Sequence, residues 1–337
     1  MKTMLSLSLA LGLAALAPAA MAAPPAYEIV AHIKGPDGGW DYASFDAVRQ
    51  RVYVARSYGV MTIDAVDGQS NPHFADGARG HEVMAIPGAD DVLSTNSGDN
   101  TARIFSGKDG TLEASLKVGN KPDAAAYDPA SKDVFVMNGD SGDASIIDPA
   151  ARKVVGSIPI GGALEFAVAD GKGKLFVNVE DKGEVAVLDT RAAKLITRYP
   201  LKGCVEPSGL AYTRQGLLIS ACANGVAKVL DAATGADLAT LKIGARPDAV
   251  IYDADRNLAF IPCGGDGVLT VIALGVNRSA QVVGSIPTQR GARTGALDPK
   301  TGRIYLPTAQ FNPPAAAGQR PSVIPGSFEV LVLAPAS

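Results

Sequence analysis

The sequence predicts an all-β protein, a ring of seven four-stranded sheets closed by its own N-terminal strand. Three observations predict it. First, a phrase recurs: "KPDAAAYDPASKDVFVMNG" from Lys121 returns as "RPDAVIYDADRNLAFIPCG" from Arg246. Weaker copies bring the total to seven, with inner runs beginning at Asp41, His81, Asp123, Glu165, Ser208, Asp248 and Arg293, spaced 40 to 45 residues apart. Second, each repeat holds short β-rich runs of four to six residues split by Gly, Asp and Pro, too short and too β-branched for helices. Third, 37 Gly and 22 Pro with only 19% charged residues suit short strands and tight turns. A fixed period near 40 with four strands per unit is the mark of a β-propeller blade, whereas a β-sandwich would lack the period.

The elements follow in chain order. Residues 1–22 carry a positive start at Lys2, an apolar stretch from Met4 to Leu16 and a small-residue site at Ala20-Met21-Ala22, the pattern of a secretory signal peptide. Residues 23–337 are then expected to form one domain, periplasmic or secreted and monomeric. No later stretch is long and apolar enough to span a membrane. "AYEIVAHIKG" from Ala26 is a strand without a unit of its own, and the last unit, ending "FEVLVLAPAS", lacks its outer strand. Their pairing would close the ring and remove the terminal edge. Second runs such as "RVYVAR" and "DVFVMN" and third runs such as "VMTID" and "VAVLD" complete the blades. The aspartates that end first and third runs, among them Asp46, Asp64, Asp128 and Asp231, begin turns in which the carboxylate caps backbone amides.

These repeats resemble those of the YVTN-repeat, YncE-like family of exported seven-bladed propellers. "RVYVARSYGVMTIDAVDG" and "DVFVMNGDSGDASIIDPAARKVVGSIPIGG" carry the likeness. It implies the fold and export. It does not imply one activity, because propellers serve as binding scaffolds and as enzymes alike.

Antiparallel strands put the starts of the inner runs, the ends of the second runs and the cysteines on one face, the top. Asp41, His81, Asp123, Glu165, Ser208, Asp248 and Arg293 are therefore expected to line the mouth of the central channel. Arg293 falls between Asp248 and Asp41 in blade order and is placed to pair with both. His81, Asp123 and Glu165 come from consecutive blades, with no cation in the ring between the two carboxylates. Such an arc suits a divalent cation such as calcium, held by Asp123 and Glu165, or acid–base work centred on His81. Arg79 and Lys121 offer a third solution as neutralising partners. Trp40 would stack on a ligand or wedge between blades. Arg290 and Arg293 could grip a carboxylate or phosphate. Arg56, Asn96, Asn138 and Glu180 lie at or just after the second-run ends, and the Pro/Gly-rich stretch 309–327 overhangs the top as a lid or an unstructured loop.

The three cysteines permit one disulfide outside the cytoplasm, Cys204–Cys222 or its rival Cys222–Cys263. The formal charge of −3 argues against general nucleic-acid binding. The sequence has no nucleophile elbow, phosphate loop, haem attachment site or dinucleotide fingerprint. The expected function is thus capture of a small ligand or partner protein at the channel mouth. The alternatives are a cation-dependent hydrolase or lactonase-like enzyme using His81, Asp123 and Glu165, and a non-catalytic protein-docking platform.

Overall fold

A computed structural model describes residues 26–314, 319 and 321–336. The expected export segment and positions 315–318 and 320 of the long loop lie outside them. The described chain forms seven antiparallel four-stranded sheets. Blades 1 to 6 run outward in chain order, beginning with inner strands at Trp40–Asp46, Gly80–Ala85, Pro122–Tyr127, Leu164–Ala169, Pro207–Tyr212 and Ile251–Asp253. Blade 7 takes Ala296–Leu297, Ile304–Thr308 and Glu329–Pro335 from the C-terminal end. Its outer strand is Tyr27–Lys34 from the N-terminal end. Ile33 pairs with Val330 and Lys34 with Glu329, so the ring closes as the repeat count demands.

The burial pattern explains which runs become which strands. A second strand such as Val134–Asn138 is buried at every residue, because both of its faces pack on neighbouring blades. An outer strand such as Leu112–Lys117 is mostly exposed and keeps polar residues at alternate positions. The core is accordingly a set of layers between adjacent sheets. Phe135, Met137 and Ile146 of blade 3 meet Val177, Val179 and Leu188 of blade 4. Phe260 and Leu269 of blade 6 meet Ile304, Leu306 and Leu331 of blade 7.

The turn aspartates act as the sequence predicts. Asp46 Oδ1 accepts from the amides of Val48 and Arg49 at 2.9 and 3.1 Å, and Asp231 Oδ1 from those of Ala233 and Thr234 at 2.7 and 3.0 Å. Cys204 and Cys222 form a disulfide, leaving Cys263 buried as a free thiol.

One feature was not legible in the repeats. In blades 1 to 5 the inner strand carries one extra residue against its neighbour, between Trp40 and Ala43, Gly80 and Val83, Pro122 and Ala125, Leu164 and Ala167, and Pro207 and Leu210. A β-bulge of this kind breaks the alternation and re-aims the side chains within it. The bulged pairs are Asp41-Tyr42, His81-Glu82, Asp123-Ala124, Glu165-Phe166 and Ser208-Gly209. Backbone carbonyls freed there are taken by the preceding blade: Thr294 Oγ1 donates to Asp41 O at 2.7 Å, Thr95 Oγ1 to Asp123 O at 2.5 Å, and Asn178 Nδ2 to Ser208 O at 2.9 Å.

The closing strand is keyed into place by Tyr27, whose ring meets Phe260 edge-on at 5.1 Å and is 7% exposed. Tyr27→Ala is expected to lower stability by about 3 kcal/mol in urea unfolding. An unchanged midpoint would show that the closing strand is not packed on blade 6.

Candidate functional site

At the mouth five of the seven predicted rim residues, Asp248, Arg293, Asp41, His81 and Asp123, form a single chain of contacts that Glu165 and Ser208 do not join. Arg293 Nε lies 3.0 Å from Asp248 Oδ2, and Arg293 Nη2 lies 3.5 Å from Asp41 Oδ1. The other oxygen of Asp41 is 2.6 Å from His81 Nδ1. The same nitrogen is 3.4 Å from Asp123 Oδ1, and Asp123 Oδ2 is 3.9 Å from Lys121 Nζ. Arg293 therefore pairs with both its neighbours. The division into a paired triplet and a separate arc does not hold, because His81 turns toward Asp41 and joins the two.

Several assignments change. Asp41, His81 and Asp123 offer three ligand atoms within 4.8 Å of one another, and Glu165 is not part of that group. The Nδ1 proton of His81 and the flanking Arg293 already satisfy these carboxylates, so the donor set is engaged internally. Trp40 is a wedge: it packs on Phe328 and Phe311 at 5.5 and 6.2 Å in the layer between blades 1 and 7. Ser208 is buried and bonds the Pro247 carbonyl. The Arg290 side chain is exposed, and its carbonyl accepts from Thr308 Oγ1 at 3.0 Å.

Arg56 is fully buried, stacked over Phe328 at 3.5 Å and donating to the carbonyls of Pro36, Gly38 and Gly39 at 2.7, 3.2 and 3.1 Å. Burial pushes its guanidinium down to about 10. Asn96 and Asn138 are likewise buried in loop-bracing bonds. Glu180 opens a short 3₁₀ turn, Glu180–Lys182. The described part of the long loop is braced by Phe311 pairing with Val323, with Asn312 N donating to Ser322 O at 2.8 Å.

Below the rim, Tyr42 of blade 1 meets Phe166 of blade 4 across the ring, centroids 5.0 Å apart. Phe166 also lines a cavity of about 530 Å³ at the bottom end, among Tyr127, Tyr212 and Tyr252. Glu82, beside His81 in its bulge, is buried with Oε2 unpartnered among the described residues. Burial holds its pKa well above the usual carboxyl range, which favours the protonated form.

The rim acids share this tendency. Burial, reinforced by the Asp41 charge, pushes Asp123 to about 6. Burial pushes Asp248 to about 7 despite Arg293. Glu165, half-buried and facing the charges of Asp123 and Asp248, is pushed by desolvation and those charges to about 10 and is uncharged at neutrality. Burial opposes a charge on His81, but the Asp41 hydrogen bond and the Asp123 charge outweigh it and raise the imidazole. Asp123, Asp248 and Glu165 thus hold their protons to higher pH than free carboxyls do, and the mouth carries less negative charge than its residue list suggests.

On the outer side of His81 the top face opens into a polar cavity of about 500 Å³, lined by Arg79, His81, Ser97, Asn100, Asn120, Lys121 and Asp140. Arg79 and Lys121 sit two residues before their rim residues and both adopt left-handed backbone, at φ 56° and 53°. That conformation is uncommon outside glycine and aims both side chains at the cavity wall. Ser97 escaped the sequence reading, because "STNSGDN" resembles an ordinary strand-end turn. Gly98 presses that turn onto blade 1. Its amide donates to Ala78 O at 2.9 Å, and a Cβ there would lie 2.8 Å from the same oxygen. Ser97 Oγ is thereby held 2.9 Å from His81 Nε2.

No protein-family model matches the chain, and no curated protein matches it. Solved structures do. A chain of a mitotic checkpoint complex aligns over 100% of this chain and 99% of its own at TM-score 0.75 and 14% identity. The WD40 repeats of RRP9 align over 92% and 98% at 0.76 and 10%, and hydrazine synthase of Kuenenia stuttgartiensis over 88% and 98% at 0.68 and 15%. Identities this low speak for the fold alone. The chain is a seven-bladed β-propeller with WD40 neighbours.

The rim also sets a pH dependence. The folded values of Asp123, Asp248 and Glu165 all lie above their ordinary 3.8, 3.8 and 4.5, so the folded state binds these protons more tightly. Stability from them is full below pH 4 and declines as pH rises through about 6, 7 and 10 in turn; the raised His81 adds to the decline above 6.5. Glu165→Gln should therefore raise stability by on the order of 2 kcal/mol at pH 9 and leave it little changed near pH 4.5. Thermal unfolding across pH tests this; an equal effect at both ends would refute it.

Proposed function

We propose that the protein is an exported binding propeller whose top-face cavity captures a small anionic molecule bearing a carboxylate or phosphate. One observation carries the reading: Arg79 and Lys121 converge with His81 on a cavity of about 500 Å³. Among the described residues Arg79 makes no ion pair and Lys121 approaches its carboxylate only to 3.9 Å. One unpaired guanidinium and one loosely paired ammonium, set against the single carboxylate of Asp140 and beside amide and hydroxyl groups, suit an anion that brings its own oxygens. The high pKa values of Glu165 and Asp248 favour the same reading, since a fully ionised rim would repel that ligand. A divalent cation fits less well, because its three candidate ligands are engaged by each other and by Arg293. A partner protein presenting an acidic side chain is the second occupant this chemistry admits, and the likeness to WD40 repeats supports it. The Cys204–Cys222 disulfide supports the location outside the cytoplasm.

Titration with citrate and inorganic phosphate at constant ionic strength tests the reading. At a hundred times its dissociation constant a bound anion stabilises by about 2.7 kcal/mol, a rise of several degrees in Tm. Arg79→Ala and Lys121→Ala should each weaken capture about tenfold or more without lowering the unliganded Tm. Binding that survives in the double variant would place the site elsewhere.

A further inference from the structure

We propose that Ser97, His81 and Asp41 form a nucleophile–base–orienter triad that cleaves esters bearing an anionic group. The inference deepens the anion-binding reading and rests on it for substrate choice, not for the chemistry. Ser97 Oγ is 2.9 Å from His81 Nε2, and His81 Nδ1 is 2.6 Å from Asp41 Oδ2. These are the two contacts that an activated serine requires. Three elements supply them: the inner strand of blade 1, the inner strand of blade 2, and the turn after Asn96. Asp41 accepts the Nδ1 proton, which leaves Nε2 as an acceptor for the Ser97 hydroxyl; that hydroxyl also reaches the Arg79 carbonyl at 3.2 Å, so its hydrogen must turn from that oxygen to Nε2 for the first step. Arg293 fixes Asp41 from its far side at 3.5 Å. Ser97 is half-buried on the wall of the cavity, so a substrate can reach it.

The same cavity provides the remaining parts. Arg79 and Lys121 place positive charge beside Ser97, available to a substrate carboxylate or phosphate and to negative charge developing on an acyl oxygen. The amide of Asn100 adds a neutral donor. In the first step the Ser97 hydroxyl gives its proton to His81 Nε2 while Oγ bonds to the acyl carbon. The ester C–O bond then breaks, and His81 returns the proton to the departing alcohol. A water attacks the acyl-serine, His81 takes its proton and passes it to Ser97 Oγ, and the acid leaves. No redox partner or metal enters the balance.

The groups around the imidazole are Asp41 from blade 1, Asp123 and Lys121 from blade 3, and Ser97, Glu82 and, on the cavity side, Arg79 from its own segment. The Asp41 hydrogen bond and the Asp41 and Asp123 charges outweigh burial and the Lys121 ammonium and favour imidazolium, so the rate should climb with pH as His81 loses its proton at a pH above the ordinary imidazole value.

The test uses the full chain, a fluorophosphonate probe and two nitrophenyl esters, the hemisuccinate and the neutral butyrate. Intact mass and peptide mapping should show one phosphonate adduct on Ser97. Hydrolysis of the hemisuccinate should fall at least ~10²-fold in Ser97→Ala, whose Tm should match the parent, and similarly in His81→Asn. Labelling elsewhere, no labelling, or an undiminished rate in Ser97→Ala overturns the triad. Labelling of Ser97 without preference for the hemisuccinate, and with no loss of preference in Arg79→Ala, upholds the triad and overturns the anion-binding reading instead.

Discussion

One extra residue in the inner strands of five blades decides where the charged side chains go. A regular strand would send residues at alternate positions into the layers between blades, where Asp41, Asp123 and Glu165 would meet only leucine, valine and phenylalanine. A bulge at the same height in five blades turns these residues toward the axis instead. The exposed carbonyls it leaves are met by Thr294, Thr95 and Asn178 of neighbouring blades. The device that aims the site thus also stitches the ring together, and neither could be lost without the other.

The second consequence is electrostatic. Crowding five acids into a half-dry ring is unfavourable, and the protein resolves it in two ways. Some acids are paired: Asp41 with Arg293 and His81, Asp248 with Arg293. Others take up protons, Glu165 and Glu82 most strongly. What remains is a mouth whose inner wall is internally balanced and whose outer wall holds Arg79 and the loosely paired Lys121 against the one carboxylate of Asp140. The imbalance lies next to His81, which touches both walls.

Much of this was legible in the sequence, because blades repeat. The seven starting positions, the closure by Tyr27–Lys34, the turn aspartates and the Arg293 pairings all follow from period and strand direction. The parts that were not legible share one cause. Period and direction place a residue at a height on a blade but do not say which way its side chain turns. Trp40 and Arg56 sit at the correct height and turn inward, the one onto Phe328 and the other onto the carbonyls of residues 36–39. His81 turns back toward Asp41 instead of joining Asp123 and Glu165 in an arc of their own. Ser97 lies in a polar turn whose sequence is common, and only the approach of Gly98 to Ala78 brings its hydroxyl to the imidazole.

The central claim is that residues 40 positions apart meet through the bulges and act as one unit. A double-mutant cycle with Asp41→Asn and His81→Gln, read by urea unfolding at pH 6, measures that meeting directly. The account predicts a coupling of about 1–3 kcal/mol between the two substitutions. Additive effects within error would mean that the side chains do not touch and that neither the rim network nor the triad exists.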